Sequence, residues 1–541
     1  MAVSSQPAIE LIQRAVEALQ RRDFAQAEQL SSNVIQRFGP EANALMVLAG
    51  VRTESGRLAE ATRLYEQARA LMPTHIHVLV NLAAAYRASG RLQDARTVLD
   101  AALQVDPNFA IAHNNLGNVL QDLGDRATAQ RAFERAATLN PRYPDPVSSL
   151  AWLAQEQHRL GDAQELAERA LALAPKNTLA RLTIALVKLR LDDAAASIAI
   201  VTEMLREADL SLTNRIIAQG CLGEANDKLA RYPEAFAAFS AANALQHEQC
   251  SAIYAHADGP LSPAGIGRIR AFVDRLDVSS WRPAPAPAST PVFLVGFPRS
   301  GTTLLDQILA SHGSVTTLEE RDTLIGIAGE MTRSSSALNR WEAPADGEIH
   351  SLRERYWQRV MEGLAGKVVS PIFIDKQPLN AVLLPLIYRL FPSCKVILAV
   401  RDPRDVVLSC FQQRFGMNEA MFQLLRLDTA ARYYDSVMNL VSISREKLPL
   451  QVHVIKYEDV IGEFETTMRG VLGFLGLAWD ENVRRYADTA RARTINTPSA
   501  TQVVRPLYGS SRGKWRHYAA HLEPYLPTLI PWVRHFDYEI N

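Results

Sequence analysis

The sequence predicts a two-part chain: an all-α superhelix of stacked helical hairpins over residues 1–250, then an α/β domain on a parallel sheet over 291–541. Three observations carry this expectation. A 34-residue period runs through the first part, apolar strand candidates alternate with helical patterns in the second, and a proline-rich stretch separates them. A chain of 541 residues also exceeds what one hydrophobic core serves, so more than one domain is expected.

Segments 41–74, 75–108, 109–142 and 143–176 align at 34 residues each. Ala61, Ala95, Ala129 and Ala163 fall in register, as do Ala68, Ala102, Ala136 and Ala170, and the prolines Pro73, Pro107, Pro141 and Pro175. Small residues let two helices approach closely, and proline stops the second helix before the next hairpin begins. A turn glycine recurs as Gly56, Gly90 and Gly124, with His158 in its place in the fourth copy. Degenerate copies flank the array: 7–40 keeps Ala27, and 215–248 keeps Ala235 and Ala242, whereas 177–214 is helical in pattern but poorly matched. The array resembles tetratricopeptide repeats, and six or seven helix pairs with atypical ends are expected to about residue 250. That resemblance implies a protein or peptide partner on the concave face. Asn81 and Asn115 share a repeat position and Asn118 lies one turn beyond Asn115. Their amides suit a peptide backbone or carboxylate, the alternative being neighbouring backbone groups or water.

Residues 279–291, SSWRPAPAPASTP, have no apolar periodicity and read as a stiff polyproline linker after a helix around 262–277. Residues 251–290 are therefore expected to connect the two parts. Lys and Arg number 58, as do Asp and Glu, which argues against a general nucleic-acid or anionic-membrane binder. Cys221, Cys250, Cys394 and Cys410 have neither metal-ligand spacing nor disulfide density and read as small buried apolar residues in a reducing compartment. Without a signal-peptide pattern or a bilayer-length apolar run, the chain is expected to be soluble and cytoplasmic.

In the second part, strand candidates at 292–296, 371–374, 395–400 and 451–456 are rich in Val, Ile and Leu and are flanked by helical patterns. This argues for a parallel sheet covered on both faces, with ligands at the carboxyl ends of its strands. The first strand runs into a loop from Gly296 to Gly301 and then a helix start, an arrangement that cradles phosphate with backbone N–H groups. Thr302 stands where the ATPase-type loop has lysine, which argues against γ-phosphoryl transfer. Arg299 inside the loop instead suits a nucleotide whose reactive end is a sulfuryl group. The other strands end in Asp375-Lys376, in Arg401 with Ser409 one helical face away, and in Tyr457-Glu458-Asp459. A late segment from Ser499 to Lys514 adds polar and basic groups.

PRSGTTL and RDPRDVVLS, in this order, resemble the 5′-phosphosulfate loop and the 3′-phosphate motif of sulfotransferases that use 3′-phosphoadenosine 5′-phosphosulfate. The resemblance covers 291–515 and is strongest to bacterial tetratricopeptide-repeat sulfotransferases, with tyrosylprotein sulfotransferases more distant. It implies a P-loop-type three-layer α/β fold, that donor as co-substrate, and no metal, because Arg, Lys and backbone amides supply the electrostatics. Glu320 is implied as the base for the acceptor hydroxyl, with Glu319 the fallback, a role suited to a carboxylate whose pKa burial raises. Lys376 is implied to hold the bridging oxygen of the leaving phosphate, unless it is merely a surface lysine. Arg299 and Ser499 would steady the sulfuryl oxygens, and Ser300, Gly301, Thr302 and Thr303 would line the 5′ end. Arg401 and Ser409 would bind the 3′-phosphate, the alternative for Arg401 being an ion pair with Asp402 or Asp405. Tyr457, Ser499, Arg505 and Lys514 match later nucleotide contacts, although Ser499 also reads as a plain loop serine.

Departures leave the acceptor open. Tyrosylprotein sulfotransferases carry arginines two and six places beyond the base, where this chain has Asp322 and Gly326, and Gly313 replaces a common proline. A competing reading is a repeat-based scaffold with an inactive nucleotide-binding domain. Joint retention of Arg299, Glu320, Lys376, Arg401 and Ser409 favours an enzyme.

Overall fold

The computed structural model describes residues 6–540 apart from 282–283, 343, 367 and 489–511. The chain divides into two units, Met1–Ile200 and Val201–Asn541.

Alanine sets the helix spacing of the first unit. Hairpins pair α1 (Gln6–Gln20) with α2 (Phe24–Phe38), α3 (Ala42–Glu54) with α4 (Leu58–Leu71), and α5 (Ile76–Ala88) with α6 (Leu92–Val105). Next come α7 (Ala110–Asp122) with α8 (Arg126–Leu139), and α9 (Pro144–Glu156) with α10 (Leu160–Leu173). Last in the unit is α11 (Thr178–Arg190), followed by α12 (Ala194–Leu205), which spans the unit boundary. Ala27, Ala61, Ala95, Ala129 and Ala163 are all 0% exposed, as are Ala68, Ala102, Ala136 and Ala170, so larger side chains there would overpack the helix contacts. The turn between helices repeats in its backbone: Arg22, Gly56, Gly90, Gly124, His158 and Asp192 all have left-handed φ, from 59 to 83°. These positions share the 34-residue spacing. Segment 177–214 thus carries the same turn, hidden in the sequence because Asp192 occupies the glycine position at a cost on the order of 1 kcal/mol.

The second unit takes in the hairpin of α13 (Leu212–Lys228) and α14 (Tyr232–Tyr254). A Cβ on Gly223 would stand 2.7 Å from the Phe239 ring, just as one on Gly117 would stand 2.5 Å from Phe133 in the α7–α8 hairpin. Only hydrogen fits at these crossings, which marks α13–α14 as another hairpin of the same type. It is built into the α/β core. Ala235 and Phe239 share a buried cluster with Ile269 of α15 (Pro263–Asp274). Phe236 stacks on Phe411 and His521, and Asn243 Nδ2 donates to Phe411 O at 2.8 Å.

The α/β core begins with β1 (Val292–Gly296), α16 (Thr302–Ala310), β2 (Val315–Glu319), α17 (Ile325–Met331), α18 (Ser335–Asn339) and α19 (Asp346–Leu364). It continues with β3 (Ile372–Lys376), α20 (Leu384–Leu390), β4 (Lys395–Val400), α21 (Pro403–Gln412) and α22 (Leu427–Lys447). Then follow β5 (Gln451–Lys456), α23 (Tyr457–Gly462) and α24 (Phe464–Leu475). The five strands are parallel in the order β2-β3-β1-β4-β5. Alternation along β1 builds three layers: Phe293 and Val295 face α15, α19 and α22, while Val292 and Leu294 face α16 and α24. Four strands match the sequence expectation; β2 was not expected. Its Val-Thr-Thr-Leu-Glu lies at a sheet edge, where Thr316 bonds the Ser370 hydroxyl at 2.9 Å, so its apolar signal is weak. From the central pair, β1 connects towards the β3 side and β4 towards β5, which opens a crevice above their adjoining ends.

Candidate active site

Beyond β1 the chain curls through two left-handed residues, Arg299 (φ 69°) and Gly301 (φ 95°), and enters α16 at Thr302. Gly301 caps α16 with no side chain of its own, and the helix start presents the positive dipole end that favours an anion. A Cβ on Gly301 would stand 2.8 Å from the Tyr457 ring, so glycine lets the loop close against the start of α23. Ser300, Thr302 and Thr303 are buried around this turn.

The segment after β4 meets the loop directly. Arg299 Nε donates to Ser409 Oγ at 3.0 Å, and Arg401 Nη1 reaches the Arg299 carbonyl at 3.5 Å. The Arg401 guanidinium also lies 4.9 Å from the Tyr457 ring centre. Side chains from three strand ends therefore converge above the β1–β4 crevice. The ion-pair alternative holds in part: Arg401 Nη2 is 3.6 Å from Asp405 Oδ2, whereas Asp402 is taken by Arg404 at 2.8 Å. Burial pushes the Asp405 carboxyl up, opposed by Arg401 and by the backbone N–H groups of Trp515 and Gly513, which donate to it at 2.8 and 2.7 Å.

Lys376 is no surface lysine, since its side chain is 0% exposed. Its Nζ stands 2.7 Å from Glu320 Oε1 and 3.4 Å from Glu319 Oε1. Burial acts to lower its pKa, but the charges of Glu320, Asp306 and Glu319 outweigh this and leave it raised. Glu319 ends β2 and does not start a helix. Glu320 follows in a left-handed conformation (φ 43°), with its N–H donating to Lys376 O at 2.8 Å. On the opposite face of β3, Asp375 Oδ2 accepts from the Thr323 hydroxyl at 2.7 Å and the Tyr356 hydroxyl at 3.1 Å. Burial pushes this carboxyl up to about 6 against those two bonds. Sequence reasoning missed Thr323 and Tyr356; the available signal was an aspartate at the end of an otherwise apolar strand, IFIDK.

The Lys514 ammonium is engaged by other partners. Its Nζ binds Asp227 Oδ2 at 2.7 Å and Gln412 Oε1 at 3.0 Å, and Tyr518 donates to the other Asp227 oxygen at 2.5 Å. Trp515 is buried, with Arg404 3.9 Å above its ring. Ser499 and Arg505 lie outside the described residues. Among the described residues, no group of three or more His, Cys, Asp or Glu is placed to hold a metal ion, and no helix is long and apolar enough to cross a membrane. In the first unit, Asn115 and Asn118 line a cleft of about 250 Å³ with Arg87 and Asp122, which pair at 2.6 Å; Asn81 does not line it.

Residues 291–481 match the family model described as sulfotransferase family, and residues 12–75, 52–116 and 110–143 match tetratricopeptide-repeat models. This is a tetratricopeptide-repeat chain with a sulfotransferase-family domain. Arg299 to Thr303, Glu320, Lys376, Arg401, Ser409 and Tyr457 fall inside the matched sulfotransferase segment, whereas Ser499, Arg505 and Lys514 fall beyond it.

Over 252 residues the chain is 29% identical to an uncharacterized protein of Aquifex aeolicus (strain VF5), covering 45% of this chain and 32% of that protein. It is 26% identical over 265 residues to protein-tyrosine sulfotransferase A of Caenorhabditis elegans, covering 46% and 67%. With protein-tyrosine sulfotransferase 2 of Gallus gallus the identity is 24% over 259 residues, covering 44% and 68%. The chain thus spans about a third of the Aquifex protein and about two thirds of the other two. A thermophilic tetratricopeptide-repeat protein of Thermus thermophilus, of known crystal structure, covers 34% of this chain and 99% of its own, at 25% identity and a TM-score of 0.31.

Proposed function

We propose that this protein transfers a sulfuryl group from 3′-phosphoadenosine 5′-phosphosulfate to an acceptor hydroxyl in the cytoplasm, and that its repeats recruit a protein or peptide partner or acceptor. The carrying observation is the convergence of Arg299, Ser409 and Arg401, with Arg299 bonded to Ser409 at 3.0 Å above the β1–β4 crevice. Two guanidinium groups beside a helix start suit a nucleotide with anionic groups at both ends. Thr302 in place of a loop lysine speaks against an ordinary triphosphate. The names of the tyrosine sulfotransferase relatives support the same chemistry.

In this reading Arg401 and Ser409 take the 3′-phosphate. Arg299, residues 300–303 and the first amides of α16 take the 5′ end, and Tyr457 flanks the nucleotide. Ser499, Arg505 and Lys514 add contacts, Lys514 after leaving Asp227. Glu320 accepts the acceptor's proton as the new oxygen–sulfur bond forms and the bond from sulfur to the bridging oxygen breaks. Lys376 exchanges Glu320 for that bridging oxygen, whose growing negative charge the ammonium offsets. With Asp322 and Gly326 beside the base, the chain does not repeat the arginines that contact acidic acceptor peptides in tyrosylprotein sulfotransferases.

The deciding experiment incubates sulfur-labelled donor and cell lysate with the wild type and with Glu320→Gln, alongside calorimetry with 3′-phosphoadenosine 5′-phosphate. Glu320→Gln is expected to bind the nucleotide normally and label nothing. Labelling by the variant would remove Glu320 as the base, and a wild type that binds but never labels would favour the inactive scaffold.

A further inference from the structure

We infer that Asp375 and Thr323 are positioning residues that hold the Glu320 loop in its reactive geometry, an inference that rests on the sulfotransferase reading of the site. Asp375 and Lys376 are neighbours at the end of β3 and face opposite sides of the sheet. From one side, Lys376 holds Glu320 twice, through Nζ to the carboxylate at 2.7 Å and through its carbonyl to the Glu320 N–H at 2.8 Å. From the other side, Asp375 Oδ2 holds Thr323 by its hydroxyl at 2.7 Å. The loop 320–323 is thereby clamped across a single strand end. It needs clamping, because Glu320 sits at φ 43°, a conformation L side chains rarely adopt and that persists only when its surroundings enforce it.

The burial of Asp375 argues for a purpose other than packing. The residue is 0% exposed, its Oδ2 takes both hydroxyls, and Oδ1 has no hydrogen-bond partner among the described residues. Asp322 adds like charge from the same loop, and no cation balances Asp375 among the groups acting on it most strongly. A carboxylate in such a place is a poor stabiliser, and a neutral side chain of the same shape would sit there at lower cost. What the charge adds is a strong bond to the loop that carries Glu320. The need is greatest during turnover. When Lys376 Nζ moves to the donor's bridging oxygen, one hold on Glu320 is released, and the Asp375–Thr323 bond with the Glu320 backbone bond must keep the base in place.

Three variants of the full chain test this: Thr323→Val, which keeps shape without the hydroxyl; Asp375→Asn, which removes the charge; and Thr323→Ser, which restores a hydroxyl. Turnover is read with labelled donor and 2-naphthol as probe acceptor, and amide exchange at Glu320 is followed in parallel. Thr323→Val and Asp375→Asn are expected to lower kcat about tenfold or more with donor KM nearly unchanged, and Thr323→Ser to recover most of the rate. Exchange at the Glu320 amide should quicken about tenfold in the first two variants while β1 amides stay protected. Wild-type rates in Thr323→Val, equal losses in Thr323→Val and Thr323→Ser, or a matching loss of donor affinity would overturn the positioning role. If the wild type labels neither 2-naphthol nor any component of a cell lysate, the sulfotransferase reading fails by itself, and unchanged Glu320 exchange in the variants would separately sink the clamp.

Discussion

Lys376 Nζ stands 2.7 Å from Glu320 Oε1, with the lysine wholly buried and the glutamate side chain 33% exposed. The proposed leaving-group partner and the proposed base are therefore partners of each other before any ligand arrives. Such an arrangement keeps the buried ammonium charged and leaves the carboxylate within reach of an incoming hydroxyl.

Replacing Lys376 by Met should leave Glu319 and Glu320 facing an apolar gap and lower stability by about 3 kcal/mol. The lysine's folded pKa is raised because the three acidic neighbours outweigh its burial. Its contribution is therefore full below the ordinary lysine value of 10.5 and is lost as pH rises through the folded pKa. Urea unfolding of wild type and Lys376→Met should show a constant gap near neutrality that closes at strongly alkaline pH. A gap that widens as pH rises through the alkaline range would contradict this sign.

The nucleotide 3′-phosphoadenosine 5′-phosphate should raise the melting temperature more than ATP does at equal concentration. Arg401→Ala should erase that difference, since a charge-assisted phosphate contact contributes about 1.5–3 kcal/mol, roughly ten- to hundredfold in Kd. Equal shifts with both nucleotides in the wild type would refute the 3′-phosphate assignment.

Asp375 carries a second pH signature of opposite consequence. Burial raises its carboxyl from 3.8 to about 6, so its favourable term is full below 3.8 and lost as pH rises through about 6. By neutral pH the ionised group disfavours the fold by roughly 3 kcal/mol relative to its protonated form. The stability difference between wild type and Asp375→Asn should therefore shift against the wild type from mild acid to neutrality. A difference that stays flat over that range would show that the group does not titrate there.

Truncation should separate the two helical regions. Removing residues 1–200 leaves the α13–α14 hairpin and is expected to preserve folding of the second unit and its nucleotide-induced melting shift. Removing residues 1–250 strips away Phe236 and Phe239, each contributing about 1.5–3 kcal/mol by burial, and the Asp227 bonds to Lys514 and Tyr518. That form should lose its cooperative melt, as circular dichroism would record.

Much of this was legible from residue order alone. Alanines with no exposed surface sit where the 34-residue register put them, and four of five strands follow from apolar runs between helices. The left-handed turns at Arg22 and Asp192 were not legible, because glycine is the usual signal and the surrounding hairpin imposes the conformation instead. Strand β2 escaped because an edge strand with outward threonines lacks a dense apolar run. At the candidate site, the strand-end motifs located Arg299, Arg401, Ser409 and Lys376, but sequence could not reveal that Thr323 and Tyr356 converge on Asp375 from separate elements. The partners of the Lys514 ammonium, Asp227 and Gln412, are distant in sequence, and no local pattern encodes them.

The Asp227 junction bears on modularity. In a repeat array each copy touches only its neighbours, so whole copies are close to interchangeable units. The α13–α14 hairpin has forfeited that interchangeability: its aspartate is committed to Lys514 and Tyr518, and its phenylalanines to the α/β core. Unlike a freely exchangeable copy, the final hairpin is tied to the domain it supports.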